Sequence, residues 1–281
     1  MPRRWSTIVA VLIVEAFVLV LRAMWELRLR QGGYDFAVAG DVSYLVVPPL
    51  LALMLAPALR QQRALLARLF DPRRVACAAA TGFAVGVLSR LAWWCAVVVL
   101  GAVGGKGTTA PAEFAMSWDC PAPAPLLLAL LVWTCLIPLV EETLGRGLIQ
   151  SLLLHHGRRF AIAGSAVAFA VYHPPQAMLT ALLMGLVLAA LRANSGSLWP
   201  PLVAHAAYDG LSIVDWRCLH VQWQPGMGGS AWLTLAAPAL LALVVLGVAI
   251  VSLVAGVRPG PHKAARADVG SQGVGHPLDD V

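Results

Sequence analysis

The chain has 281 residues, of which 59% are hydrophobic and only 12% charged, with a formal net charge of +6. Soluble domains carry about 25% charged residues, so this composition excludes an ordinary soluble protein and points to a polytopic membrane protein. The basic residues form no patch interleaved with aromatics, so they read as topology-setting loops, and nucleic acid is not an expected partner.

In chain order, eight apolar segments approach the ~20 residues that a helix needs to cross the hydrocarbon. They lie at 6–25, 43–59, 75–103, 125–154, 160–173, 176–192, 197–214 and 231–257. No segment alternates in the ten-residue pattern of a membrane β-barrel. The expected fold is therefore all-α, with about eight transmembrane helices in one domain over 1–257. The first apolar segment follows a short basic flank and lacks a small-residue cleavage site, so it reads as a retained helix. The tail 258–281 is polar and Gly-rich and is expected to be disordered and cytoplasmic.

Charge sets the orientation. With the N-terminus inside, Arg3, Arg4, Arg60, Arg63, Arg68, Arg73, Arg74, Arg158, Arg159, Arg192, Arg258, Lys263 and Arg266 share the cytoplasmic side. Only Arg22, Arg28, Arg30, Lys106 and Arg217 fall outside, while Arg90 and Arg146 lie within the membrane. Both termini are thus expected in the cytoplasm of a multi-pass protein of the cell membrane. Cys77, Cys95 and Cys135 sit in apolar runs and read as inert core residues. Cys120 and Cys218 fall in loops on the same outer side, where a disulfide between them is an open possibility.

Three polar clusters interrupt the apolar segments. In the fourth, Glu141, Glu142 and Arg146 are charges that cost at least ~2.5 kcal/mol each at a bilayer centre, so they call for a function or a partner. Glu142 and Arg146 are i and i+4 and share a helix face. Glu141 is turned about 100° away and is left as a free carboxylate, able to act as a general base. The second cluster is Phe169 and His173, one turn apart, followed by Pro174 and Pro175, which end the helix. A backbone broken at membrane depth is tolerated beside a cavity or within protein. The third is His205 and Asp209, again i and i+4, where a carboxylate can fix the imidazole tautomer. Each cluster alone could be a structural pair that locks helices together. Glu15 and Arg90 stand isolated in their spans and are left outside the site, as a pair with each other or with Arg90 on an access path. His155 and His156 lie beside Arg158 and Arg159 at the inner end and are expected to snorkel.

Taken in order, E-E-x-x-x-R at 141–146, F-x-x-x-H at 169–173 and H-x-x-x-D at 205–209 resemble the CPBP family. This is the family of CAAX prenyl proteases and bacteriocin-processing (Abi-type) membrane proteins. The resemblance covers about 120–212 and puts the catalytic core in helices 4–7. It implies an intramembrane endopeptidase acting on a membrane-associated or lipidated peptide or protein. By position, Glu141 would activate water with help from His173, and His205 and Asp209 would stabilise the transition state. Glu142, Arg146 and Phe169 would support them. The family more often carries Asn where Asp209 stands, and an ionised Asp cannot donate to an oxyanion. Either Asp209 stays protonated or it orients His205. A zinc ion is left open by the resemblance, and Glu141, His173, His205 and Asp209 would be its ligands. The H-E-x-x-H pattern of zinc metalloproteases is absent. The expected partners are membrane lipid and a peptide or protein substrate. Two other functions stay open: a non-catalytic scaffold or bacteriocin-immunity protein of the same fold, and a small transporter using the carboxylates as a proton relay.

Overall fold

The computed structural model describes residues 2–72, 75–104, 114–175 and 177–223. The chain opens with α1 (Pro2–Gln31), followed by α2 (Phe36–Tyr44), α3 (Val47–Met54), α4 (Ala56–Gln61) and α5 (Arg63–Leu69). Asp35 caps α2 by accepting from the backbone N–H groups of Ala37 and Val38. Prolines then punctuate the path, because a proline is tolerated where a helix begins and not in its interior. Pro48 and Pro49 sit at the start of α3, and Pro57 at the start of α4. The second expected span, 43–59, is therefore replaced by Phe36–Met54, a crossing that is broken in the middle.

α6 (Val75–Gly104) leads to the strand β1 (Phe114–Trp118) and then to the longest helical stretch. That stretch is α7 (Pro123–Leu130), a π-helical segment (Leu131–Leu136), α8 (Ile137–Glu142), a second π-helical segment (Thr143–Ile149) and α9 (Gln150–Leu153). A 3-10 turn, Leu154–His156, closes it. Gly157, with a positive φ of 106°, turns the chain into α10 (Arg158–Val171). α11 (Met178–Ser195), α12 (Trp199–Cys218) and the strand β2 (Leu219–Trp223) follow. Four helical stretches are long and apolar enough to cross a membrane: Trp5–Gln31, Phe36–Met54, Pro123–His156 and Met178–Ser195. The protein is a helical integral membrane protein. The eighth expected span, 231–257, and the tail lie outside the described residues.

Beside the helices, β1 and β2 pair antiparallel, with Phe114 opposite Trp223 and Trp118 opposite Leu219. The sequence suggested two loops here, and the ribbon is a departure from an all-α chain. Cys120 and Cys218 are joined as a disulfide at its base, and Asp119 N–H donates to the Cys218 carbonyl. Cys95 is buried as expected, whereas Cys135 is exposed on its helix. The side chain of Cys77 lies outside the described residues.

In lipid the driving force between helices is close packing, and small residues let backbones approach. α6 meets α12 in this way. A Cβ added at Gly82 would stand 2.4 Å from the Pro200 carbonyl oxygen, and one at Gly86 would stand 2.3 Å from that of Ala204. α10 and α11 meet at Gly185, against Ala166. A second packed region joins α1, α3 and the α8–α9 stretch through Val11, Val18, Leu51, Leu148 and Ile149. α12 also packs directly against α7, α8 and the π-helical segment between them, so the fourth and seventh expected spans lie side by side with the polar residues where they meet.

Candidate active site

Glu141 and Glu142 end α8, between the two π-helical segments. Such segments are rare and recur at functional sites, because the wider turn re-aims the side chains on either side. Glu142 is fully buried and pairs with Arg146 at 3.1 Å, with both side chains 0% exposed. Arg146 also donates to the Gly185 carbonyl and lies over the Phe169 ring at 4.3 Å. The Glu141 side chain, by contrast, is 28% exposed. The two neighbours therefore differ in access: a ligand can reach Glu141 and cannot reach Glu142.

α10 ends at Val171, and His173 N–H bonds back to the Ala170 carbonyl in the turn before the two prolines. His173 Nδ1 is 2.9 Å from the Phe169 carbonyl oxygen. A carbonyl only accepts, so Nδ1 carries the proton and Nε2 is left with a lone pair in the neutral ring. Phe169 packs against both imidazoles, with ring centroids 4.7 Å from His173 and 5.6 Å from His205.

α12 supplies His205 and Asp209. His205 Nδ1 lies 2.9 Å from Glu142 Oε1. Its Nε2 lies 3.3 Å from Asp209 Oδ2 and 3.7 Å from Glu141 Oε2. The i, i+4 contact within α12 is present, yet the tighter hold on the ring comes from Glu142. Helical phase had assigned Glu142 to Arg146 alone; it serves both. One cavity of about 430 Å³ gathers Glu141, His173, His205 and Asp209 on its wall, with apolar side chains making up much of the rest. Glu15, left outside the site from sequence, also lines it, together with Tyr172. Its suggested partner Arg90 is elsewhere, bonded through Nε to Asp215 at 2.9 Å.

The resemblance left a metal ion open, with Glu141, His173, His205 and Asp209 as its ligands. Among the described residues, no three His, Cys, Asp or Glu side chains are placed to hold one. His205 Nδ1 is taken up by Glu142, while Nε2 faces Asp209 and Glu141.

An open carboxylate shares one cavity with two imidazoles among apolar helices, which defines a class: helical membrane proteins with acid–base groups inside the helix bundle. Residues 123–211 match the family model described as Rce1-like, type II CAAX prenyl endopeptidase. All three motifs fall inside that stretch, about a third of the chain, and the match supports the resemblance to the CPBP family drawn from them. No curated protein and no solved structure matches the chain.

Proposed function

We propose that this protein is an intramembrane endopeptidase that hydrolyses a peptide bond of a membrane-associated or lipidated peptide or protein. The observation that carries the reading is the single cavity lined by Glu141, His173, His205 and Asp209, with Glu141 the accessible one of two adjacent carboxylates.

In the proposed step, Glu141 takes one proton from a water molecule while His173 Nε2 accepts the other hydrogen and aims the oxygen. The water oxygen bonds to the scissile carbonyl carbon, and the carbonyl electron pair moves onto its oxygen. His205, in its doubly protonated form, donates an N–H to that oxyanion. Asp209 as a carboxylate only accepts, so its part is to orient His205, which the 3.3 Å separation supports. The C–N bond then breaks, and the proton held by Glu141 passes to the leaving nitrogen. The products are a carboxylic acid and an amine. Glu142 holds the far side of the His205 ring, Arg146 balances the charge of Glu142, and Phe169 packs both imidazoles in place.

The test is cleavage of membrane peptides by the purified protein in lipid nanodiscs. Glu141→Gln and His173→Ala are each expected to lower turnover by about 10²–10⁴-fold, the usual weight of general acid–base groups, without loss of thermal stability. Unchanged turnover in these folded variants would sink the proposal. Peptides that accumulate in cells carrying Glu141→Ala would identify the substrate. A scaffold of the same fold would tolerate Glu141→Gln in cells, which separates it from an enzyme.

A further inference from the structure

The mechanism above leaves one acid on the cavity wall unused. Glu15, halfway along α1, lines the same cavity as Glu141, and Tyr172, next to His173, lines it too. The two groups are close enough to act on one another. Yet Glu15 Oε2 and Tyr172 Oη are both buried without a completed hydrogen bond. The arginines that could have neutralised Glu15 are engaged. Arg146 is held by Glu142, Arg22 by Glu26, and Arg90 by Asp215. The nearby wall is apolar, with Leu19, Val47, Pro48 and Leu51. An unpaired acceptor and an unpaired hydroxyl on such a wall are unfavourable unless water or a ligand completes them.

Resting on the proteolysis reading, we infer that Glu15 and Tyr172 form a polar subsite that binds one peptide group of the substrate away from the scissile bond. The complementarity is chemical. Glu15 accepts a backbone N–H, and Tyr172 donates its O–H to a backbone carbonyl. A segment presented for cleavage inside a membrane must give up its helical hydrogen bonds. Along an apolar wall its exposed N–H and C=O groups find few partners to take their place. A donor–acceptor pair on an otherwise apolar wall supplies the missing partners and holds the chain extended across Glu141. α1 thereby enters the substrate path, although the three motifs lie on later helices. Glu15 and Tyr172 are positioning residues; they touch the substrate at a distance from the reacting atoms.

The probe is a 20-residue Leu/Ala peptide with a central Gly-Gly and a donor–quencher pair. It is compared with esters that replace one amide at a time on either side of the centre. Each ester removes one N–H. With the parent protein, one ester position is expected to raise KM by about tenfold with little change in kcat, the weight of one hydrogen bond. In Glu15→Leu, KM for the all-amide peptide rises by a similar factor, and that ester no longer matters. Tyr172→Phe also raises KM. Glu15→Gln, which keeps an acceptor oxygen, falls between and guards against a folding defect. Peptide binding to Glu141→Gln, followed by fluorescence anisotropy, repeats the comparison without turnover. Cleavage with no ester position sensitive to Glu15 overturns the subsite and leaves the protease reading standing. Binding that keeps the ester pattern without cleavage by the parent supports the subsite and overturns the protease reading. Neither binding nor cleavage overturns both.

Discussion

Glu141 and Glu142 are adjacent in sequence, and their surroundings give them different work. Glu142 has a buried arginine on one side and an imidazole on the other, at 3.1 Å and 2.9 Å. Removing it leaves Arg146 as an unmatched buried charge, which costs about 3–5 kcal/mol. Glu142→Ala is therefore expected to lower the melting temperature in detergent strongly, while Glu141→Gln leaves it nearly unchanged. Equal melting temperatures for the two variants would contradict the division. The arrangement of His205 between carboxylates also bears on metal dependence. Treating the active protein with 1,10-phenanthroline is expected to leave turnover unchanged; a loss of about tenfold or more, restored by zinc, would show a ligand set assembled only with metal. At this scale the sequence was legible where the relevant residues are one helical turn apart. Periodicity separates Glu141 from Glu142 and pairs Glu142 with Arg146. It carries no information on contacts between helices, so it missed the bond from Glu142 to His205, 63 positions later. It also left Glu15 without a role, because the neighbours of Glu15 come from distant parts of the chain.

The position of α12 decides whether His205 meets Glu142, and two glycines of α6 set that position. Gly82 and Gly86 are four apart and lie on one face. A methyl at Gly86 would overlap the Ala204 carbonyl oxygen, one residue before His205, at 2.3 Å. That atom is backbone and cannot swing aside, so the helix itself must shift. Gly86→Ala is expected to displace α12 and reduce turnover, since errors of about 1 Å in a catalytic group can cost 10²-fold. Gly40, whose added Cβ meets nothing within 4 Å and which does not line the cavity, is the control: Gly40→Ala is expected to keep its stability and turnover. Matching losses of turnover and stability in both variants would show that the contact with α12 is not what matters. Most helices could be placed from hydropathy within a few residues, as with 75–103 against Val75–Gly104. The π-helical segments around Glu141 could not, because hydropathy does not register the one-residue widening of a helical turn. The break inside Phe36–Met54 is different: Pro48 and Pro49 announce a discontinuity, but hydropathy averaged over the segment hides it.

The two ends of the molecule are chemically unlike, and this argues for an orientation. At one end, Ser197 and Leu198 bond to the Leu69 carbonyl, Trp199 to that of Asp71, and Arg158 to Asn194. Those contacts bring the connections after α5, α9 and α11 together, and with them Arg68, Arg158, Arg159 and Arg192. At the other end the chain is closed by the β1–β2 ribbon and by Cys120–Cys218. Basic loops favour the cytoplasm, and disulfides persist where the surroundings oxidise. Two independent rules thus predict the same direction, and we propose that the disulfide lies outside and the N-terminus of α1 inside. The bond spans 98 residues, which in a loop-closure account corresponds to ~4–5 kcal/mol. An unfolded membrane chain keeps much of its helix, so that figure is an upper bound, and the Cys120→Ser/Cys218→Ser variant is expected to melt lower but still fold. The bond joins the entry to α7 with the exit from α12, the helical stretches that carry Glu141 and His205, so its loss should loosen the site as well as the ribbon. Orientation is read by treating intact cells with a membrane-impermeant reductant and then an impermeant maleimide. Labelling of Cys120 and Cys218 without lysis is expected; labelling that requires lysis would reverse the orientation and place the basic end outside.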